Sequence, residues 1–236
     1  MLRRIFLPTA ALFLLAPALL AGEANALTEV EKSAGWRLLF DGKTFGGWQP
    51  IGKAGAAITG WVVQDGVLWH AKAAGGGDLV TAESFGDFEL VWEWRIGFAA
   101  NSGVKYEMPD ATKGVGFEYQ LLDDENEPDG KRGGRLHQTG GLYDLIEPPA
   151  DKKISLVGEW NASRIVIKGA HVEQWLNGVK TVEFEMGGDD LKARIAKSKY
   201  AKIAGFGEKV KSPILLQDHG GEVAFRSIKL RALDAK

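Results

Sequence analysis

Cysteine is absent from all 236 residues. That absence excludes disulfides and thiolate metal sites, and it removes the thiol by which an exported chain could be tethered to lipid. Basic runs are also missing, none exceeding two residues. The charge balance therefore implies neither nucleic acid nor an anionic membrane surface as a partner. Three common catalytic patterns are missing too: no G-x-S-x-G elbow, no phosphate-binding glycine loop and no H-E-x-x-H zinc helix.

What is present suits a globular protein, with 45% hydrophobic and 25% charged residues. The segment "MLRRIFLPTAALFLLAPALLAGEANA" places Arg3 and Arg4 ahead of an apolar run from Ile5 to Ala21, followed by Ala24-Asn25-Ala26 with small residues where a signal peptidase reads. A membrane anchor is the alternative, but Pro8 and Pro17 interrupt a run already short for a bilayer span of about 20 residues. The expectation is a cleaved leader over residues 1–26 and a periplasmic or secreted chain from 27 to 236 that keeps no membrane attachment. Without the leader, 27 basic and 30 acidic residues remain, a formal charge of −3.

From Leu27 onward the pattern is strand, turn, strand. "FELVWEWRI" (88–96) alternates as a half-buried strand, with Phe88, Leu90, Trp92, Trp94 and Ile96 on one side. Asp65-Gly66 and Asn177-Gly178 punctuate two apolar stretches and predict hairpins, because both residue types accept positive φ. Further strands are expected near 36–40, 102–108, 163–168, 212–217 and 222–231, with one helix over 189–203. About ten short strands at turn-signal spacings of about 8 to 12 residues point to an all-β sandwich or jelly roll with one short helix. No repeat or low-complexity linker divides residues 27–236, so one domain is expected.

"GVGFEYQLLDD" (114–124) poses the functional question. Side chains alternate across a strand, so Val115, Phe117, Tyr119 and Leu121 share one face, while Gly116, Glu118, Gln120 and Leu122 share the other. A solvated face explains a carboxylate beside an amide; so does a binding site. Of the four histidines, His70 and His171 sit in or beside hairpin strands and read as structural, whereas His137 and His219 fall in loops. The acidic stretch "DDENEPDG" (123–130) fails as an EF-hand, because Asp129 stands where the sharp-turn glycine belongs. It reads as a solvated loop from which Asp123 could reach a site beside Glu118. Eight Trp and four Tyr are mostly core in such a fold, with any exposed subset able to stack on the apolar face of a sugar ring.

The block "GWRLLFDGKTFGGW" (35–48) is similar to the opening of the 3-keto-disaccharide hydrolase family. The likeness continues in order through "WVVQDGVLW", "DFELVWEWRI", "NSGVKY", "GFEYQLLDD" and "TGGLYDLIEP", and closes with "PILLQDHGGEVAFRSIKL". It covers essentially the whole chain after the leader. The resemblance implies a two-sheet, concanavalin-like jelly roll and an exported enzyme acting on glycosides already oxidised at C3. Its matching polar positions are Asn101, Glu118, Gln120, Asp123, Tyr143, Gln217, His219 and Arg226. Glu107 departs from the pattern, standing where many relatives carry Arg.

A C3 carbonyl acidifies the hydrogen on C2, so a base can form an enolate that expels the C1 glycosidic oxygen, and water added back completes a net hydrolysis. Such a route needs a base, a donor or metal for the enolate oxygen, and an acid for the leaving group. The candidates are Glu118 or His219 as base with the other as acid, and Asn101, Lys105, Gln120 and Arg226 as hydroxyl and enolate contacts. Asp123, Tyr143 and Gln217 complete the expected substrate-binding set. A divalent ion held by Glu118, Asp123 and His219 is an alternative source of enolate stabilisation. An ordinary two-carboxylate glycosidase would instead pair Glu118 with Asp123, Asp218 or Glu107. Outside enzymes, the same pattern suits a carbohydrate-binding module without chemistry, or an accessory protein that docks a dehydrogenase.

Overall fold

The computed structural model describes residues 23–233. Most of the expected leader, residues 1–22, lies outside the described residues. Among the described residues no helix is long and apolar enough to cross a membrane.

Among the described residues thirteen strands run in chain order: β1 (Arg37–Leu38), β2 (Trp48–Pro50), β3 (Trp61–Gln64), β4 (Val67–His70), β5 (Leu79–Thr81), β6 (Phe88–Ile96) and β7 (Asn101–Asp110). They continue with β8 (Val115–Leu122), β9 (Asn161–Lys168), β10 (His171–Leu176), β11 (Val179–Glu185), β12 (Leu215–Leu216) and β13 (Val223–Ala232). The larger sheet has the order β11-β10-β9-β6-β13-β4-β3, with β1 also pairing β13, and the smaller has the order β2-β5-β12-β7-β8. All pairings are antiparallel. Two such sheets burying one face of each against the other make the expected all-β, jelly-roll sandwich. Both glycine-marked hairpins form, with Asp65, Gly66, Asn177 and Gly178 all at positive φ.

The core lies between the sheets. Phe88, Leu90, Trp92, Trp94 and Ile96 of β6 are buried on the inner side, and Phe117, Tyr119 and Leu121 of β8 meet them from the other sheet. Burying aromatic hydroxyls and indoles demands partners. Ser163 supplies them for two of these side chains, accepting from Trp94 Nε1 at 2.8 Å and donating to the Tyr119 hydroxyl at 2.9 Å, whereas Trp92 Nε1 finds no partner among the described residues.

The expected single helix needs correction in number and length. Among the described residues three short α-helices are present: α1 (Glu29–Ser33), α2 (Pro128–Gly133) and α3 (Asp189–Ile195). Thr28 and Glu31 close a capping box on α1, and Glu127 caps α2 with Pro128 at its first turn, converting part of the acidic stretch from loop to helix. The helix expected to reach Ile203 stops eight residues early. Beyond Ile195 the Ser198 hydroxyl donates to the Ile195 carbonyl and accepts from the Tyr200 amide, giving the backbone a local alternative to another helical turn.

Candidate active site

The polar face of β8 is not solvated: Glu118 and Gln120 are both buried. On the side of the small sheet turned away from the core, Lys105 stands opposite Glu118 and Gly103 opposite Gln120. Asn101 lies two residues before Gly103 on the same face. The Gln217 amide donates to the Gly103 carbonyl at 2.9 Å and so extends β12 alongside β7. These side chains line one cavity of about 290 Å³. Gly103 creates room at its floor, because a Cβ there would stand 2.6 Å from Glu118 Oε1.

A loop then closes the free edge of β8. The Gly140 amide donates to the Gln120 carbonyl and the Tyr143 amide to the Glu118 carbonyl, each at 3.0 Å, so residues 140–143 run beside the strand and deliver Tyr143 to the cavity. The Tyr143 hydroxyl donates to Asp129 Oδ2 at 2.7 Å. Burial and the neighbouring Asp129 carboxylate push its pKa up, which keeps it a donor to that carboxylate. Tyr143 therefore offers the cavity mainly its ring.

The remaining wall comes from the segment after α3. Lys199, Tyr200 and Ile203 line the cavity, and the sequence placed none of them in the site. Their only signal was the expected helix, whose early end puts them in coil.

Glu118 Oε2 lies 3.5 Å from Lys105 Nζ, and that ammonium also donates to the Gly114 carbonyl at 3.2 Å. Two buried acceptors, Gln120 Oε1 and Gln217 Oε1, have no hydrogen-bond partner among the described residues. An unmet buried acceptor costs about 1–3 kcal/mol, so a ligand bearing hydroxyl groups recovers that cost here. His219 reaches the cavity from an exposed loop. The loop is anchored from below by His70, which is fully buried, with Nδ1 3.2 Å from the Gly221 carbonyl and Nε2 3.3 Å from Asp218 Oδ2. His70 is thus structural, as its strand position suggested.

Seven of the nine expected site residues meet in this cavity: Asn101, Lys105, Glu118, Gln120, Tyr143, Gln217 and His219. Asp123 does not line it. The chain leaves β8 at Leu122, and the Asp123 carboxylate accepts from the Ala99 amide at 2.8 Å and the Asn126 amide at 3.2 Å. Arg226 does not line it either. It sits on β13 of the other sheet, 2.8 Å from Glu93 and with its guanidinium over the Trp160 ring at 4.0 Å.

The expected metal trio does not fit. With Asp123 committed to backbone amides, Glu118, Asp123 and His219 form no cluster of ligand atoms. Among the described residues the cluster with ligand spacing is His171, Glu173 and Glu183 on the β10–β11 hairpin, where Lys180 already pairs with both glutamates.

The candidate second carboxylates also stand elsewhere. Glu107, at positive φ in a bulge, accepts from the Val210 amide at 2.6 Å, and Asp218 accepts from the Gly77 amide at 3.0 Å. Asp78 is a nearby acid that went unnoticed in the sequence. Burial pushes its pKa up, and its Oδ1 takes the Asp218 amide at 2.8 Å without lining the cavity.

Comparison with known proteins follows the same lines. Residues 35–231 match the model of the 3-keto-alpha-glucoside-1,2-lyase-like domain. A 3-keto-disaccharide hydrolase from Bacteroides thetaiotaomicron is 30% identical over 245 residues, covering 91% of this chain and 84% of that protein. A crystal structure described as a glycosyl hydrolase from Parabacteroides distasonis superposes with a TM-score of 0.80 at 36% identity, over 90% of this chain and 100% of that one. A second, from the same organism, gives 0.66 at 27% identity, over 84% and 99%. With a family model spanning most of its length and relatives at this level of identity, the chain belongs to the 3-keto-disaccharide hydrolase family of 3-keto-alpha-glucoside-1,2-lyase-like domains.

Proposed function

We propose that this protein cleaves 3-keto-glycosides outside the cytoplasm by removing the C2 proton and eliminating the C1 substituent. The observation that carries this reading is that Glu118 is the single carboxylate among the residues lining the cavity. Double-displacement and inverting glycosidases need two carboxyl groups about 5 to 9.5 Å apart, flanking the scissile bond. A 3-keto sugar needs one base, because its own carbonyl takes up the electron pair. Glu118, at the buried floor beside Lys105, takes the proton from C2. The C1–C2 double bond forms as the C1–O bond breaks, and His219 at the exposed side gives a proton to the departing oxygen. Water adding at C1 turns the unsaturated keto sugar into the hydrolysed one. Asn101, Gln120 and Gln217 hold ring hydroxyls, and the Tyr143 ring provides an apolar wall.

The names of two of its relatives, a 3-keto-disaccharide hydrolase and a glycosyl hydrolase, support a carbohydrate substrate. The decisive experiment supplies the protein with a 3-keto-disaccharide and, separately, its unoxidised parent. The expected result is turnover of the keto sugar alone, reduced about 10²–10⁴-fold in Glu118→Gln. Binding of both sugars with turnover of neither refutes the proposal and leaves a carbohydrate-binding module.

A further inference from the structure

Lys199 stands in the cavity wall within the electrostatic reach of Glu118 and Asp144, yet among the described residues no carboxylate pairs with it. Its ammonium makes no hydrogen bond or ion pair among the described residues, and instead lies 4.1 Å from the centroid of the Tyr143 ring and 5.1 Å from that of Tyr200. The backbone of Lys199 is held independently, its amide donating to Asp144 Oδ2 at 3.0 Å. Asp144 is the residue next to Tyr143, is at positive φ, and turns its other oxygen to His137 Nε2 at 3.2 Å. One two-residue step of the loop thus fixes both ends of Lys199, its amide by a carboxylate and its ammonium by a ring face. Such a cation is attracted by the aromatic quadrupole yet is not neutralised by it.

Two ammonium groups therefore reach the cavity, and they differ in their commitments. Lys105 is engaged by Glu118 and by the Gly114 carbonyl. Lys199 comes from the segment after α3, and its donors make no hydrogen bond among the described residues. Proton abstraction beside a carbonyl needs a base at the carbon and a separate donor at the oxygen, where negative charge develops. Burial, helped by the charge of Lys105 and opposed by that of Glu118, lowers the Lys199 pKa, which makes its N–H groups better hydrogen-bond donors. Resting on the keto-glycoside reading above, we infer that Lys199 is a catalytic residue that donates a hydrogen bond to the C3 oxygen of the substrate and stabilises the enolate. No bond to nitrogen forms in this role.

The test separates enolisation from departure of the leaving group. A 3-keto-monosaccharide without a leaving group at C1 is incubated in D2O, and exchange of its C2 hydrogen is followed by NMR. Lys199→Met is expected to lose about 10²–10³-fold in exchange rate and in disaccharide kcat, with KM changed far less than kcat. Lys199→Arg recovers part of the loss, and His219→Ala keeps exchange while losing cleavage. Exchange by Lys199→Met within about threefold of the parent, a shift of less than the factor of ten carried by 1.4 kcal/mol, overturns the role. Trapping of a borohydride-reduced sugar adduct on Lys199 overturns it as well, in favour of an imine. If the parent protein neither exchanges nor cleaves the keto sugar, the keto-glycoside reading itself fails, an outcome distinct from loss in the variant alone.

Discussion

A methyl group on residue 103 would stand 2.6 Å from Oε1 of Glu118 and 2.9 Å from its Cγ. The missing side chain at Gly103 is therefore the space that Glu118 occupies. Gly103→Ala forces the carboxylate to swing away from its position beside Lys105. Because a misplacement of about 1 Å at a reacting group can cost about 10²-fold, kcat/KM for a 3-keto-disaccharide is expected to fall by that order. The clash is with a flexible side chain, so the loss of stability stays near 1 kcal/mol. Unchanged kinetics in a folded Gly103→Ala protein would mean that Glu118 can move without consequence.

Much of this site was legible because β8 obeys a two-residue period. Glu118 and Gln120 share a face by arithmetic alone, and the hairpin glycines mark where neighbouring strands turn back. Arg226 defeated the same reasoning. Its strand carries a register shift between Arg226 and Lys229, with Ser227 at positive φ, and it belongs to the other sheet. A sequence motif does not say in which layer a strand lies. Asp123 failed for a related reason, since alternation ends with the strand at Leu122. Lys199 and Tyr200 were invisible because coil has no period to read.

Arg226 offers the corresponding negative test. Its guanidinium is tied to Glu93 and stacked on Trp160, on a strand of the larger sheet. Arg226→Met is expected to keep kcat/KM within about twofold and to lose under about 1 kcal/mol of stability, in keeping with a partly exposed ion pair and cation–π contact. A large kinetic defect with an unchanged melting temperature would return Arg226 to the substrate.

Asp123 should matter for stability instead of chemistry. Burial alone would raise its pKa, but the hydrogen bond from the Ala99 amide and those from Asn126 outweigh it and leave the carboxyl lowered. A lowered folded-state pKa contributes stability that is fully present above the unfolded aspartate value of about 3.9, and that is lost as pH falls through the folded value. Asp123→Asn is therefore expected to be less stable than the parent at pH 7, by about 1–3 kcal/mol for the weakened amide contacts. The gap between the two denaturation curves should close as acid is added below about pH 4. A gap that persists unchanged into acid would rule out the carboxylate as its source.

If residues 1–26 include a leader, the contacts of Asn25 bear on where it is cut. Asn25, at positive φ, accepts from the Ser227 amide at 2.8 Å and donates to the Gly66 carbonyl at 2.7 Å. It thereby fastens the β3–β4 hairpin turn to the bulge in β13, and Gly42 leaves room for it, since a Cβ there would lie 2.6 Å from Asn25 Nδ2. Processing after Ala26 would discard these contacts, worth about 1 kcal/mol each. Gly22 and Ala24 present small residues at the same spacing as Ala24 and Ala26, and a cut after Ala24 keeps Asn25 as the first residue. We propose that the leader ends there. N-terminal sequencing of exported protein is expected to begin at Asn25, and a chain begun at Leu27 is expected to melt at lower temperature. Export with Leu27 first, at undiminished stability, would show the docking of Asn25 to be dispensable.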